Sequence, residues 1–171
     1  MKTSIVIACI LTCFIFSLEQ AQAQTIYKHP SLDFQFTASE NWKKINHPED
    51  EMILEMVDPD DTIHVVLWVT ETESGPKHYL EKMADMKGLN VTGAPINIIV
   101  NGHDGWVIKA EGKINSIEST CMIASIPMMG DKYVHHKNHM AQYIVQVWCP
   151  TNLFPQKTEE IGAITRSVEI Q

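Results

Sequence analysis

Residues 63–88 decide the fold, and they read IHVVLWVTETESGPKHYLEKMADMKG. The first seven are almost continuously apolar, which predicts a central strand covered on both faces. Ser74-Gly75-Pro76 then gives a helix-start signal, because proline suits the first turn. Gly88 suits the position just after a helix. Between these signals, apolar residues recur at helical spacing: Tyr79, Leu80, Met83, Ala84 and Met86.

Strand-like segments lie on both sides of this unit, and two turn signals join neighbouring ones. Asp58-Pro59-Asp60-Asp61 separates two apolar runs and predicts a hairpin. Asn101-Gly102 is a stronger hairpin signal, because both residues accept a positive φ. The remaining strand-like segments are residues 32–36, 52–57, 96–100, 106–108, 117–128 and 140–148.

A second helix is predicted near the end of the chain. Pro155 opens it, and Phe154, Ile161, Ile164 and Val168 would share one face. Sequential hairpins make a sheet antiparallel, and each amphipathic helix can cover part of it. The sequence therefore predicts an α+β fold: an antiparallel sheet covered by two or more helices, near residues 76–87 and 154–166.

The first 23 residues have the pattern of a secretory signal peptide. Lys2 supplies positive charge, residues 5–18 are almost uninterruptedly apolar, and Ala21-Gln22-Ala23 is a small-x-small cleavage site. The apolar run is shorter than the roughly 18–20 residues that span a bilayer, and a lipoprotein cysteine at Cys9 would come too early. We expect an exported protein, periplasmic or extracellular, whose residues 24–171 form a single domain without a transmembrane segment.

The net charge and the absence of known catalytic motifs reduce the number of functions that the sequence supports. The 171 residues carry a formal net charge of −8, which makes nucleic acid and anionic membranes poor partners. There is no Gly-x-Ser-x-Gly elbow, His-Glu-x-x-His pair, phosphate-binding glycine loop or dinucleotide fingerprint. No catalytic residue and no organic cofactor are therefore predicted.

Cys121 and Cys149 lie on the last two long strand-like segments. Two cysteines in an exported chain favour a disulfide. The antiparallel register that pairs them would also pair Ile123 with Val147, as expected of neighbours on a packed face. We predict that the two cysteines face each other and form a disulfide. The alternative is two buried free thiols.

The loop between those segments is rich in histidine. His135, His136 and His139 lie within five positions, and a loop can bring them together whereas a strand would point neighbours to opposite faces. Neutral imidazole is a good ligand for Zn, Ni and Cu, and Asp131 could add a carboxylate. We treat the three histidines as a candidate transition-metal site. The alternative is a solvated loop tip.

The two ends of the mature chain resemble PsbP/Mog-like domains of the exported, DcrB type. Residues 27–34, followed by Glu40-Asn41-Trp42, are similar to the opening Y-x-x-P-x-x-x-F-x-x-P-x-x-W motif of that group, although Ser39 replaces the usual proline. Residues 159–170 resemble its closing helix and short strand. The resemblance implies an α/β/α sandwich. Most members of the group are not enzymes but bind or stabilise larger partners, so the resemblance also implies a non-enzymatic role. It transfers no partner-contacting residue to this chain.

Two functions from different classes remain. One is an exported, non-catalytic binding or accessory domain that acts through a protein or small-ligand surface. The other is an extracytoplasmic hydrolase or metal-dependent protein centred on residues 135–139. Converging histidines and carboxylates in a pocket would favour the second, and an apolar groove the first. We expect the tryptophans to pack in the core, with a ligand platform as the alternative: Trp42, Trp68, Trp106 and Trp148.

Overall fold

A computed structural model describes residues 24–47, 53–100, 102–128 and 134–170. The predicted signal peptide, Asp131 and Asn101 lie outside these ranges. Within them, neither helix has the length and apolar content needed to cross a membrane.

The described chain contains eleven strands and two helices. Both helices occupy the predicted positions, so the helix predictions are confirmed. The elements are β1 (Gln24–Lys28), β2 (Phe34–Ser39), β3 (Lys43–Ile45), β4 (Leu54–Val57), β5 (His64–Thr72), α1 (Pro76–Met86), β6 (Asn90–Val91), β7 (Ile96–Val100), β8 (His103–Ile114), β9 (Ile117–Pro127), β10 (Met140–Pro150), α2 (Phe154–Arg166) and β11 (Glu169–Ile170).

The strands form two antiparallel sheets. The large sheet has the order β3-β4-β5-β10-β9-β8-β6, and β7 also pairs with β8. The small sheet has the order β1-β2-β11. The predicted α+β class is confirmed, and β7 to β10 form the expected meander. The division into two sheets was not predicted.

The large sheet has a hydrophobic cluster on each face. Side chains alternate along β5, so Val65 and Leu67 pack against the small sheet and α2, whereas Val66 and Trp68 point to the face that carries α1. The first cluster includes Phe34, Phe36, Trp42, Ile161 and Ile164. The second includes Leu80, Met83, Ala84, Ile108, Ile123 and Trp148.

Helix α1 covers only part of its face. It has 11 residues and is therefore about 16 Å long, too short to shield a sheet of this width. Its buried side chains pack over β8 and β9, where Ile108 and Ile123 lie. Consequently Val66 and Trp68 on β5 are only half-buried. The prediction that residues 63–69 are covered on both faces is wrong for this face.

The predicted disulfide is also wrong. The register pairs Cys121 with Trp148 and Cys149 with Thr120, one residue away from the predicted pairing. Because a shift of one residue reverses the face, Cys121 packs under α1 and Cys149 packs on the opposite side. Both thiols are free. Burial raises the pKa of Cys121 to about 12 and that of Cys149 to about 11, so neither is a ready nucleophile at neutral pH.

Candidate functional site

A cleft of about 670 Å³ opens beside α1, on the part of the sheet that this helix leaves uncovered. Its walls come from α1, from β4, β5 and β10, and from the β8–β9 turn. The volume is typical of small-molecule sites. Much of its lining is apolar or aromatic: Val66, Trp68, Tyr79, Met83, Met86 and Trp148.

Two tryptophans line the cleft and differ in exposure. Trp148 on β10 is buried and stacks on His64, with the ring centroids 3.9 Å apart and the planes at 10°. Trp68 on β5 is half-buried and presents part of its ring to solvent. Trp42 is buried in the other core, as expected. The alternative interpretation, a ligand platform, therefore has its best candidate in Trp68, because Trp148 lines the cleft but is only 3% exposed.

Positive charge gathers at one end of the cleft. The Lys87 ammonium group lies 5.4 Å from the centroid of the Trp68 ring, in a cation–π arrangement. Lys113 lies on the neighbouring β8–β9 hairpin. Leu89, just after α1, packs closely against Gly112 of the hairpin. A Cβ atom added to Gly112 would lie only 2.9 Å from the Cδ2 atom of Leu89. This close approach brings the end of α1 and the hairpin together, and with them the two lysines.

The opposite wall carries one carboxylate, which is already paired. Glu55 on β4 accepts hydrogen bonds from His64 at 3.1 Å and from His47 at 2.7 Å. The hydrogen bond from His64 lowers the pKa of Glu55, while partial burial opposes this effect. The His64 side chain is only 13% exposed, and this ion-pair contact satisfies it. An anionic ligand would therefore meet two cationic groups at the lysine end, of which Lys113 is paired with Glu118 at the surface, and a compensated carboxylate at the other end.

The cleft also presents uncharged polar groups to a ligand. Its polar groups include the Tyr79 hydroxyl and the amides of Asn115 and Gln146. Tyr79 contacts Thr70 at 3.4 Å. Within the described lining there is no serine, cysteine or histidine to act as a nucleophile or its base.

A second group of polar side chains lies at the end of β5. His136 Nδ1 is 3.1 Å from Glu71 Oε2, and His139 Nδ1 is 3.6 Å from Glu71 Oε1. The two imidazole centroids are 4.9 Å apart. Of the three predicted ligands, the structure thus brings together His136 and His139. His135 contributes its backbone N–H, which donates to Glu71 at 2.9 Å.

Glu71 was missed by sequence reasoning because its role depends on strand pairing. β10 pairs with β5 so that Ala141 lies opposite Glu71, which places this carboxylate beside the loop that precedes β10. The two segments are more than 60 residues apart, and no local motif links them. Partial burial opposes ionisation, but hydrogen bonds from the His136 backbone, the His136 ring and the His135 backbone lower the pKa of Glu71.

Comparisons with known proteins bear on the fold. No family model and no curated protein matches the sequence. Among solved structures, LpqN of Mycobacterium tuberculosis, a protein involved in cell envelope biogenesis, matches with a TM-score of 0.56 and 11% identity over 90% of this chain and 87% of its own. The cyanobacterial PsbP protein of Synechocystis sp. PCC 6803 matches with a TM-score of 0.58 and 6% identity over 90% of this chain and 96% of its own. The resemblance inferred from the two ends of the sequence is thus confirmed for the fold, and the chain has a PsbP-like fold.

Proposed function

We propose that this protein is an exported, non-catalytic binding domain whose cleft takes a small amphipathic anion. Such a ligand would have an apolar or aromatic body and one acidic group. The observation that carries the proposal is the half-exposed Trp68 ring beside the Lys87 ammonium group, in a cleft of small-molecule size. The predicted signal peptide supports export.

The apolar part of the ligand would lie on Trp68, with Trp148 as a buried part of the same lining. A half-exposed tryptophan in the middle of a sheet keeps apolar surface in contact with water, and covering that surface is favourable. Trp148 is held rigidly by its stack on His64, so the platform loses little conformational freedom on binding.

The acidic part would lie at the lysine end. Lys87 is held over Trp68, and Lys113 has an exposed side chain that pairs with Glu118 at 3.6 Å. An exposed ion pair of this kind contributes only about 0–1 kcal/mol, so it can be exchanged for a ligand carboxylate, sulfonate or phosphate at little cost.

The structural neighbours support an accessory role more than a catalytic one. LpqN is described as involved in cell envelope biogenesis, and an exported binding protein could act in the same cellular region. A hydrolase centred on residues 135–139 receives less support, because its histidines lie beside Glu71 and outside the lining of the cleft.

Tryptophan fluorescence with two matched probes tests the proposal. Anilinonaphthalene sulfonate and neutral phenylnaphthylamine share the same aromatic body and differ in the acidic group. We expect tighter binding of the sulfonate by the wild-type protein. We expect Lys87→Gln and Lys113→Gln each to reduce that preference about fivefold, the equivalent of roughly 1 kcal/mol for a partly exposed charge contact. Trp68→Ala should lower the affinity of the protein for both probes.

A matched control is available elsewhere on the sheet. Lys77 lies 5.4 Å from the Trp106 ring, which is the same kind of pair outside the cleft lining. Lys77→Gln should leave both affinities unchanged. Equal affinity for the two probes, or an equal effect of Lys77→Gln and Lys87→Gln, would contradict the proposal.

A further inference from the structure

We propose that Glu71, His136 and His139 form a binding site for a divalent transition-metal ion such as Zn²⁺. The carboxylate comes from β5 and the two imidazoles from the loop before β10. One ligand atom from each residue lies within 4.8 Å of the others. The site is independent of the cleft, because Glu71 continues the side-chain row of Val65 and Leu67, whereas Trp68 points to the other face.

The spacing suits a tetrahedral ion. Zn–ligand bonds of about 2.0–2.1 Å place tetrahedral ligand atoms about 3.4 Å apart. Each imidazole lies near that distance from one oxygen of the Glu71 carboxylate: His136 Nδ1 is 3.1 Å from Oε2, and His139 Nδ1 is 3.6 Å from Oε1. The His136 ring is hydrogen-bonded to Glu71, but its side chain is 70% exposed. Little packing therefore opposes a rotation that exchanges this hydrogen bond for a metal bond and shortens the distance to the His139 ligand atom.

His139 is oriented as metal-binding histidines are. Its Nε2 atom is 3.1 Å from Glu73 Oε1, so an Nε2–H group that donates to this carboxylate leaves a lone pair on Nδ1. The Nδ1 atom is buried and has no hydrogen-bond partner within the described ranges. A buried polar atom without a partner is unfavourable, and a metal ion between Nδ1 and Glu71 would satisfy it. Carboxylates that orient ligating histidines in this way are common in metal sites.

Glu71 is positioned by its own neighbours. Its Oε1 atom accepts the backbone N–H groups of His135 at 2.9 Å and His136 at 2.6 Å. These bonds hold the loop against β5 and fix the carboxylate.

The chemistry of the ligands selects the class of metal. Two imidazole nitrogens and one carboxylate oxygen suit Zn²⁺, Ni²⁺ or Cu²⁺, whereas Mg²⁺ and Ca²⁺ prefer oxygen ligands throughout. Three protein ligands would leave one tetrahedral position for a water molecule. The proposed ligands differ from the three histidines predicted from the sequence, because the carboxylate of Glu71 replaces the imidazole ring of His135.

Calorimetric titration of the chelator-treated protein with Zn²⁺, and separately with Mg²⁺, tests the site. We expect Zn²⁺ to bind at one site and Mg²⁺ to give no heat. Glu71→Gln, His136→Ala and His139→Ala should each weaken Zn²⁺ binding at least about tenfold. His135→Ala should change the affinity less than about twofold, because its backbone N–H remains. Zn²⁺ should also raise the melting temperature of the wild type and not that of Glu71→Gln.

The controls separate this site from chance binding. His47→Ala removes an imidazole from a second Glu–His group within the described ranges, the one around Glu55, and should leave Zn²⁺ binding unchanged. Melting curves in chelator establish that each variant is folded, and Glu71→Gln keeps a hydrogen-bond acceptor for the loop. The proposal is overturned if Glu71→Gln binds Zn²⁺ as the wild type does, if His135→Ala loses as much affinity as His139→Ala, or if the wild type shows no Zn²⁺ binding.

Discussion

The buried amide of Gln142 offers a sharp test of how α1 is attached to the sheet. Gln142 on β10 is fully buried. Its oxygen accepts a hydrogen bond from the Ser125 hydroxyl, and its Nε2 group donates to the Ser74 carbonyl at 2.8 Å. Gln142→Leu preserves the approximate volume but removes both bonds. The Ser125 hydroxyl is buried and, left unsatisfied, costs about 1–3 kcal/mol. The bond to the Ser74 carbonyl is only part-buried and adds less, so we expect destabilisation of about 1–3 kcal/mol.

Urea unfolding followed by tryptophan fluorescence measures this change, and a double-mutant cycle tests its cause. Ser125→Ala should cost about 1–3 kcal/mol in the wild type, because it leaves the buried Gln142 oxygen unsatisfied. In the Gln142→Leu background it should cost nothing or restore stability, because it removes a hydroxyl that has lost its partner. Destabilisation by Gln142→Leu of less than about 0.5 kcal/mol, or an equal cost of Ser125→Ala in both backgrounds, would refute the reasoning.

Two further predictions concern titration and thiol chemistry. Because the pKa of Glu55 is lowered, its contribution to stability is present above its ordinary pKa of 4.5 and is lost as pH falls through the lower folded value. Between pH 5 and about pH 3, the free energy of unfolding should therefore fall less in Glu55→Gln than in the wild type. Identical slopes of the two stability curves against pH would contradict this. Cys121 and Cys149 are buried and have raised pKa values, so iodoacetamide should label neither cysteine in the native protein. In urea it should label both without prior reduction, and peptide mass mapping would show this. A peptide in which Cys121 and Cys149 are linked would contradict the structure.

The sequence by itself determined the helices and the tight turns. The bounds of α1 and α2 follow from local information: a proline in the first turn, apolar side chains at helical spacing, and Gly88 with a φ of +67° after α1. The β7–β8 hairpin likewise follows from its turn, where Gly102 has a φ of +83°. These features depend on neighbours within a few residues, so the pattern of one segment is sufficient to predict them.

Only the tertiary structure decided the register of β9 and β10, the cleft beside α1, and the proposed metal-ligand group of Glu71, His136 and His139. β10 is buried on both faces, so either register gives apolar neighbours, and the sequence pattern does not determine whether Cys149 faces Cys121. The cleft exists because α1 is shorter than the sheet is wide, which no single segment reveals. Glu71 meets His136 and His139 only because β5 pairs with β10. Each of these outcomes depends on contacts between distant segments, whose geometry is set by packing and strand pairing of the whole chain.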